Sequence, residues 1–289
     1  MEMPEFLETV EPVTKFAHLN YPVWTENKAR FIEQYLYRFV MVTRHGTYID
    51  AFAGPQKPDK PEMWSAKLVL DSEPPWLRHF HLFEVKEEKV KALENLKKSQ
   101  PTLDSRGHKI NRTIEIHPGD SNQNIPKLLA SNCIRQKEAA FCLLDQRTFE
   151  CHWSTVEALA EYKKSGHKIE LFYFLAISWL RRALTALKDT DRLRDWWGRD
   201  DWAKLRDMKS NEIRDEFVMR IQTELDYKYV HPWPILRRQR GGGIMYYMIH
   251  ASDHPEAPKL MRRAYVNTVR PREQAEQVGL WELFEKSRA

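Results

Sequence analysis

"YIDAFAGPQ", residues 48–56, is the stretch on which the reading of the fold turns. An apolar run closes on an acid, Asp50, and a glycine, Gly54, follows after small residues. That is the pattern of a turn leaving a strand, where a glycine lets backbone come close to a nucleotide. Pro55 and Gln56 stand where a second glycine is expected, so whether the turn still grips a ligand is the first question.

Working outward, the hydrophobic period alternates. Upstream, residues 26–41 carry Phe31, Ile32, Tyr35, Leu36 and Phe39 at helical spacing, and this helix feeds directly into a strand over 47–52. Downstream, "HFHLFE" (79–84) reads as a strand, and "KEEKVKALENLKK" (86–98) as a helix with Val90, Leu93 and Leu96 inward. "TIEIHPGD" (113–120) and "AAFCLLD" (139–145) read as the next strands, and the apolar run "IELFYFLAI" (169–177) as one buried on both faces. Residues 181–229 read as helical, dense in charge and tryptophan, and "GGGIMYYMIHAS" (241–252) as a glycine turn running into a late strand at a sheet edge. The expected organisation is a helical segment over 1–46, an α/β Rossmann-like core with a mostly parallel sheet over 47–180, a helical insertion over 181–235, and a closing strand and helix over 236–289.

Composition narrows the function classes only slightly. The 42% hydrophobic content of 289 residues suits a globular protein with one main core. The longest apolar run, 171–180, is about half of the roughly 20 residues that span a bilayer, and the N-terminal "MEMPEFLETVEP" is acidic; no membrane association and a cytoplasmic location are expected. Cys133, Cys142 and Cys151 are too widely spaced for a zinc pair and read as reduced structural thiols. A net charge of +5 permits an anionic partner without requiring one.

Four acids, Asp50, Glu84, Asp120 and Asp145, fall at or near the carboxyl ends of expected strands, where open α/β sheets bind ligands. In a nucleoside pocket the glycine turn approaches the cofactor, Glu84 accepts from ribose hydroxyls, Asp120 faces the base edge and Asp145 the reacting group. Each acid alone reads equally well as a helix cap or a solvated carboxylate.

These blocks resemble a known family. "KARFIEQYLYRF" (28–39), "YIDAFAGP" (48–55), "HLFEVKEEKVKAL" (81–93), "HPGDSNQNIPKLL" (117–129), "FCLLDQRTFECHWSTVEALA" (141–160) and "IMYYMIHASDHPEAPKLM" (244–261) look, in order, like the three-Cys-motif partner (TcmP) family, over roughly residues 21–265. The resemblance implies a class I S-adenosylmethionine-dependent methyltransferase-like fold and a radical-type partner protein with a three-cysteine motif. It assigns the S-adenosylmethionine grip to Asp50, Ala53, Gly54, Glu84 and Asp120, and the reacting end to Asp145 and Phe149.

Two positions depart from the family pattern. Gln56 replaces the second glycine of "FAGPG" and would crowd the cofactor if a positive φ were needed there. "DQRTF" (145–149) replaces an Asp-Pro-aromatic sequence, in which an acid, a stiffened backbone and a ring hold a target nitrogen. It keeps the acid, delays the aromatic to Phe149 and adds Arg147, which suits a phosphate or an ion pair with Asp145 or Glu150.

Other chemistry is thinner. His79 and His81 share a strand face near Glu84 but lack a third ligand at metal spacing, so packing histidines and no metal are expected. No nucleophile elbow or P-loop is present. Arg181-Arg182, the "WWGR" stretch (196–199) and above all Arg237, Arg238 and Arg240 are candidate contacts to DNA or RNA, although buried tryptophans anchoring the insertion explain the second better. Three readings follow: a methyltransferase acting on nucleic acid, a non-catalytic Rossmann-like partner subunit, and a metal-dependent nuclease.

Overall fold

The computed structural model describes residues 27–177, 180, 183–184, 190–236 and 244–269. Helix α1 (Lys28–Thr43) forms on the expected stripe, with Phe31, Ile32, Tyr35, Leu36 and Phe39 buried. It stops at Arg44, which adopts a left-handed φ of 64° and donates its N–H to the Val40 carbonyl.

Strands β1 (Thr47–Asp50), β2 (His79–Glu84), β3 (Thr113–Pro118), β4 (Ala140–Leu144), β5 (Glu170–Leu175), β6 (Tyr229–Leu236) and β7 (Ile244–Ser252) form one sheet in the order β3-β2-β1-β4-β5-β7-β6. The first five pair in parallel, while β7 runs antiparallel to both β5 and β6. This is a Rossmann-like α/β sheet, mostly parallel as expected. Because β1 is followed outward by β2 on one side and flanked by β4 on the other, the loops leaving β1 and β4 diverge and open a crevice at their carboxyl ends.

The helices α2 (Ser65–Leu70), α3 (Glu87–Lys98), α4 (Ser121–Ala130), α5 (Trp153–Glu161), α6 (Thr190–Trp197), α7 (Ser210–Thr223) and α8 (Ala257–Val269) cover the sheet. Phe141, Leu143, Phe172 and Phe174 face a core shared with α1, α3 and α8. Cys142, Leu144, Leu171 and Tyr173 face the opposite core, shared with α4, α5 and α7. Burial on both faces is why β4 and β5 read as unbroken apolar runs. Among the described residues no helix is long and apolar enough to cross a membrane.

Two elements differ from expectation. Strand β1 ends at Asp50 instead of residue 52, because the Asp50 carboxylate accepts the Phe52 N–H at 3.1 Å and turns the chain. The last part of the segment read as helical insertion is strand β6, which contains Pro232 and Pro234. Prolines disguise a strand by removing ladder donors, and they are tolerated here because β6 is the sheet edge, paired with β7 alone.

Trp196, Trp197 and Trp202 are buried in the core beside Phe217, so the "WWGR" stretch anchors the insertion and does not present rings to a nucleic acid. Gly198, at φ +75°, sits where a Cβ would come within 2.6 Å of Trp153. Arg220 of α7 locks this cluster: its guanidinium lies 3.9 Å from the Trp153 ring centroid and 4.3 Å from that of Trp197. It donates to the Trp197 carbonyl at 2.6 Å and forks onto Glu224 at 2.6 and 2.9 Å. Replacing Arg220 by Met should therefore lower unfolding stability by about 2–4 kcal/mol in urea titration, with Arg220→Lys recovering only part because the planar fork is lost. A loss of under about 0.5 kcal/mol, the range of ordinary surface changes, would contradict this role.

Candidate functional site

The carboxyl ends of β1 to β4 border a cleft of about 650 Å³, within the usual size of small-molecule sites. Gly54, Glu84, Asp120, Asp145, Arg147 and Phe149 all line it. Asp50 and Ala53 lie beneath, almost fully buried.

Glu84 is fixed by backbone. Its Oε2 accepts the Gly54 N–H at 3.1 Å and its Oε1 the Lys86 N–H at 2.9 Å. The approach needs glycine, since a Cβ at residue 54 would fall 2.2 Å from Glu84 Oε2 and 2.7 Å from Lys89 Cβ. Ala53 extends the tie, donating its N–H to the Phe83 carbonyl at 2.8 Å and accepting the Trp64 indole N–H at 2.6 Å. Each Glu84 oxygen retains a second lone pair for a ligand donor. Beside it Val85 is 67% exposed, an apolar surface on the cleft wall that a planar ring would cover.

Asp120 is both cleft residue and helix cap. One oxygen accepts the Asn122 backbone N–H at 2.9 Å and its side-chain amide at 3.0 Å, capping α4; the other has no hydrogen bond among the described residues. Asn122 then braces the opposite wall, donating to the Glu150 carbonyl at 2.7 Å and accepting from the His152 N–H at 2.8 Å.

Asp145 meets a partner that the spacing of acids did not reveal. The Lys28 ammonium, from the start of α1, contacts its two oxygens at 2.7 and 2.5 Å. The Phe174 and Tyr246 rings flank the same ammonium at 5.3 and 5.8 Å. Burial alone would depress Lys28, but the Asp145 carboxylate outweighs it and leaves the ammonium pKa raised. Gln56 also reaches Asp145, donating its side-chain amide to Oδ2 at 3.4 Å. The backbone at Gln56 is not left-handed: among the described residues the non-glycine positions with positive φ are Arg44, Asn132 and Asp226. The turn therefore does not need the second glycine.

Asp50 sits under this pair. Burial pushes its carboxyl up to about 7, against opposing hydrogen bonds from the Tyr48 hydroxyl and the Phe52 N–H, and the charge on Asp145 pushes the same way as burial. It shapes the floor and does not reach the main cleft.

The "DQRTF" loop is stiff without a proline. Gln146 is buried and accepts the Glu150 and Cys151 N–H groups, each at 2.9 Å, while its amide donates to the Phe174 carbonyl at 3.3 Å. Phe149 packs edge-on against Trp196 at 4.8 Å and is 2% exposed, so only an edge borders the cleft. Phe52, half-buried on the cleft wall, is the more accessible ring. Arg147 is exposed, and its guanidinium forms no ion pair among the described residues; Glu150, its expected partner, instead accepts the backbone N–H groups of Arg147 and Thr148. Lys86, Lys89 and Arg192 add basic groups to the lining, and Glu150, Asp191 and Asp195 add acids. Arg237, Arg238 and Arg240 lie outside the described residues.

Lys28, Val85, Gln146 and Asn122 were missed in the sequence. Lys28 had a signal: it falls three and four residues before Phe31 and Ile32, a cation placed on the apolar stripe of α1.

No family model matches the chain, and no curated protein matches it. Among solved structures, a protein of Legionella pneumophila str. Philadelphia 1 bearing the family-model label DUF519 aligns with a TM-score of 0.49 and 10% identity, over 86% of this chain and 92% of that chain.

Two outcomes follow from the floor of the cleft. Lys28→Met leaves the Asp145 carboxylate buried without its cation and should destabilise the protein by about 3–5 kcal/mol, with Lys28→Met/Asp145→Asn recovering much of the loss; a double mutant no better than the single one would refute the coupling. Asp50 titrates near 7 when folded and near 3.8 as a free carboxyl, so between those values the native state holds the extra proton and stability falls as pH rises. The melting temperature of Asp50→Asn relative to wild type should accordingly climb from pH 5 to pH 8, and a flat difference would contradict the assignment.

Proposed function

We propose that the chain is an S-adenosylmethionine-dependent methyltransferase-like protein that acts on or recognises nucleic acid, in company with the radical-type three-Cys-motif partner implied by its family resemblance. The observation that carries this reading is the Glu84 carboxylate, held by the Gly54 and Lys86 N–H groups at the tip of β2 and open to a cleft at the switch between β1 and β4.

The donor set fits an adenosine-type ligand. Glu84 has lone pairs for a ribose diol, Val85 offers apolar surface to the base, and Asp120 has an unused oxygen for an exocyclic amine. When bound, S-adenosylmethionine supplies an electrophilic methyl group. In this reading Asp145, which lines the cleft, accepts hydrogens from a target nitrogen, and the exposed Arg147 meets a phosphate of the acceptor. The cleft lends little to the nuclease reading, because Asp145 is already paired with an ammonium and, among the described residues, its acids do not converge as a group of three cation ligands.

One observation favours the second reading, a non-catalytic partner subunit. The Lys28 ammonium already occupies Asp145 from within the chain, and a target nitrogen must displace it. Cofactor binding and turnover thus separate the two: Glu84 and Gly54 govern the first, Lys28 and Asp145 the second.

Calorimetric titration of the cofactor-stripped protein with S-adenosylmethionine and its demethylated product should give binding near micromolar affinity. Glu84→Ala should weaken it at least tenfold, about 1.4 kcal/mol or more, and Gly54→Ala should do the same through the clash with Glu84. Absence of binding to a folded protein would overturn the cofactor assignment. Binding with no methyl transfer to DNA or RNA would favour the partner-subunit reading.

A further inference from the structure

We propose that His81, Glu115 and His117 form a divalent-metal site of the zinc type that staples the edge strand β3 to β2. The site is separate from the cleft, which none of the three residues lines.

The register of the sheet builds it. His81 of β2 lies opposite Glu115 of β3, and Phe83 opposite His117, so alternation along the strands puts both histidines and the glutamate on one sheet face. His81 Nδ1 is 3.2 Å from His117 Nε2. Two nitrogens bound to one tetrahedral zinc at about 2.0–2.1 Å lie roughly 3.3 Å apart. Glu115 Oε2 is 3.9 Å from the same His81 nitrogen, and the three ligand atoms all fall within 4.8 Å of one another. The third ligand that the sequence failed to offer comes from the neighbouring strand.

The surroundings hold the rings in a ligating pose. His117 stacks on Phe83 at 4.5 Å with 17° between the planes. The other nitrogen of His81, Nε2, faces Cys133 Sγ at 4.0 Å, and that thiol donates to the Leu128 carbonyl at 3.7 Å. The sulfur is thereby left to accept a hydrogen bond from the Nε2–H, the tautomer in which Nδ1 carries the lone pair for a metal. Such an outer partner fixing the tautomer is common around metal-bound histidines.

Donor type selects the ion. Two imidazoles and one carboxylate suit zinc and its first-row neighbours and do not suit calcium or magnesium. Glu115 is half-exposed, which leaves the remaining coordination position toward water. Strand β3 has a hydrogen-bonded neighbour on one side only, and a metal bridging it to β2 guards the kind of edge that otherwise invites misregister or pairing with another chain.

The test uses the tag-free full chain, stripped with chelator, and zinc titrated in competition with a chromophoric chelator. Uptake of one equivalent with micromolar or tighter affinity is expected, together with a melting temperature raised by zinc and not by magnesium. His117→Gln and Glu115→Gln change residues at the half-buried or exposed edge, so they should fold normally. Each should weaken zinc binding by at least roughly tenfold and shrink the thermal shift, and cobalt substituted for zinc should give visible absorption that His117→Gln abolishes. Affinity no tighter than millimolar, or tight binding unchanged in both variants, would overturn the proposal.

Discussion

The cleft depends on one close approach, that of the Glu84 carboxylate to the backbone at Gly54. The 3.1 Å bond from the Gly54 N–H exists only because residue 54 has no side chain, and it joins the turn after β1 to the tip of β2. The Lys86 N–H closes on the other oxygen and sets the start of α3. A carboxylate gripped on both sides by backbone is oriented in advance of any ligand. Without that tie, Val85, Lys86 and Lys89 would lose their common wall.

The floor of the cleft obeys a second constraint, which is electrostatic. Asp50 and Asp145 stand close enough to influence each other, and a single buried ammonium, Lys28, serves both. Asp145 takes the direct contact, while Asp50 is left with the Tyr48 hydroxyl and the Phe52 N–H. Burial pushes the deeper carboxyl, Asp50, up to about 7, and the charge on Asp145 adds to that push beside a cation already committed to Asp145. Helix α1 is thus more than a cover on the sheet: its first residue neutralises the acid that follows the fourth strand.

Much of this was legible in the sequence, for identifiable reasons. Strands buried on both faces, such as "AFCLL" and "ELFYFL", announce themselves by composition, and the acids at strand ends follow because polar loops begin where the sheet stops. Gly54 and Glu84 were legible as members of a pattern; their mutual contact, 30 residues apart in sequence, was not. Strand β6 was hidden because Pro232 and Pro234 silence the strand signal at an edge where their missing donors are harmless. The His81 to His117 pair was hidden because a period-two pattern within one strand cannot report which residue the next strand sets opposite.

Gln56 and the loop after Asp145, the two positions that the sequence left in doubt, weigh differently once the contacts are known. Gln56 was the reason to doubt the cofactor turn, yet its backbone is not left-handed and its amide points to Asp145 instead of blocking Glu84. The missing proline after Asp145 was the reason to doubt the reacting end, yet Gln146 holds that loop with a set of buried hydrogen bonds that a proline ring could not supply. Both substitutions therefore preserve shape. The contact that the sequence pattern does not foretell at this end of the cleft is instead Lys28, whose ammonium sits on both oxygens of Asp145. The ion pair is stable on its own terms only while α1 stays packed, since a buried carboxylate deprived of its cation is costly.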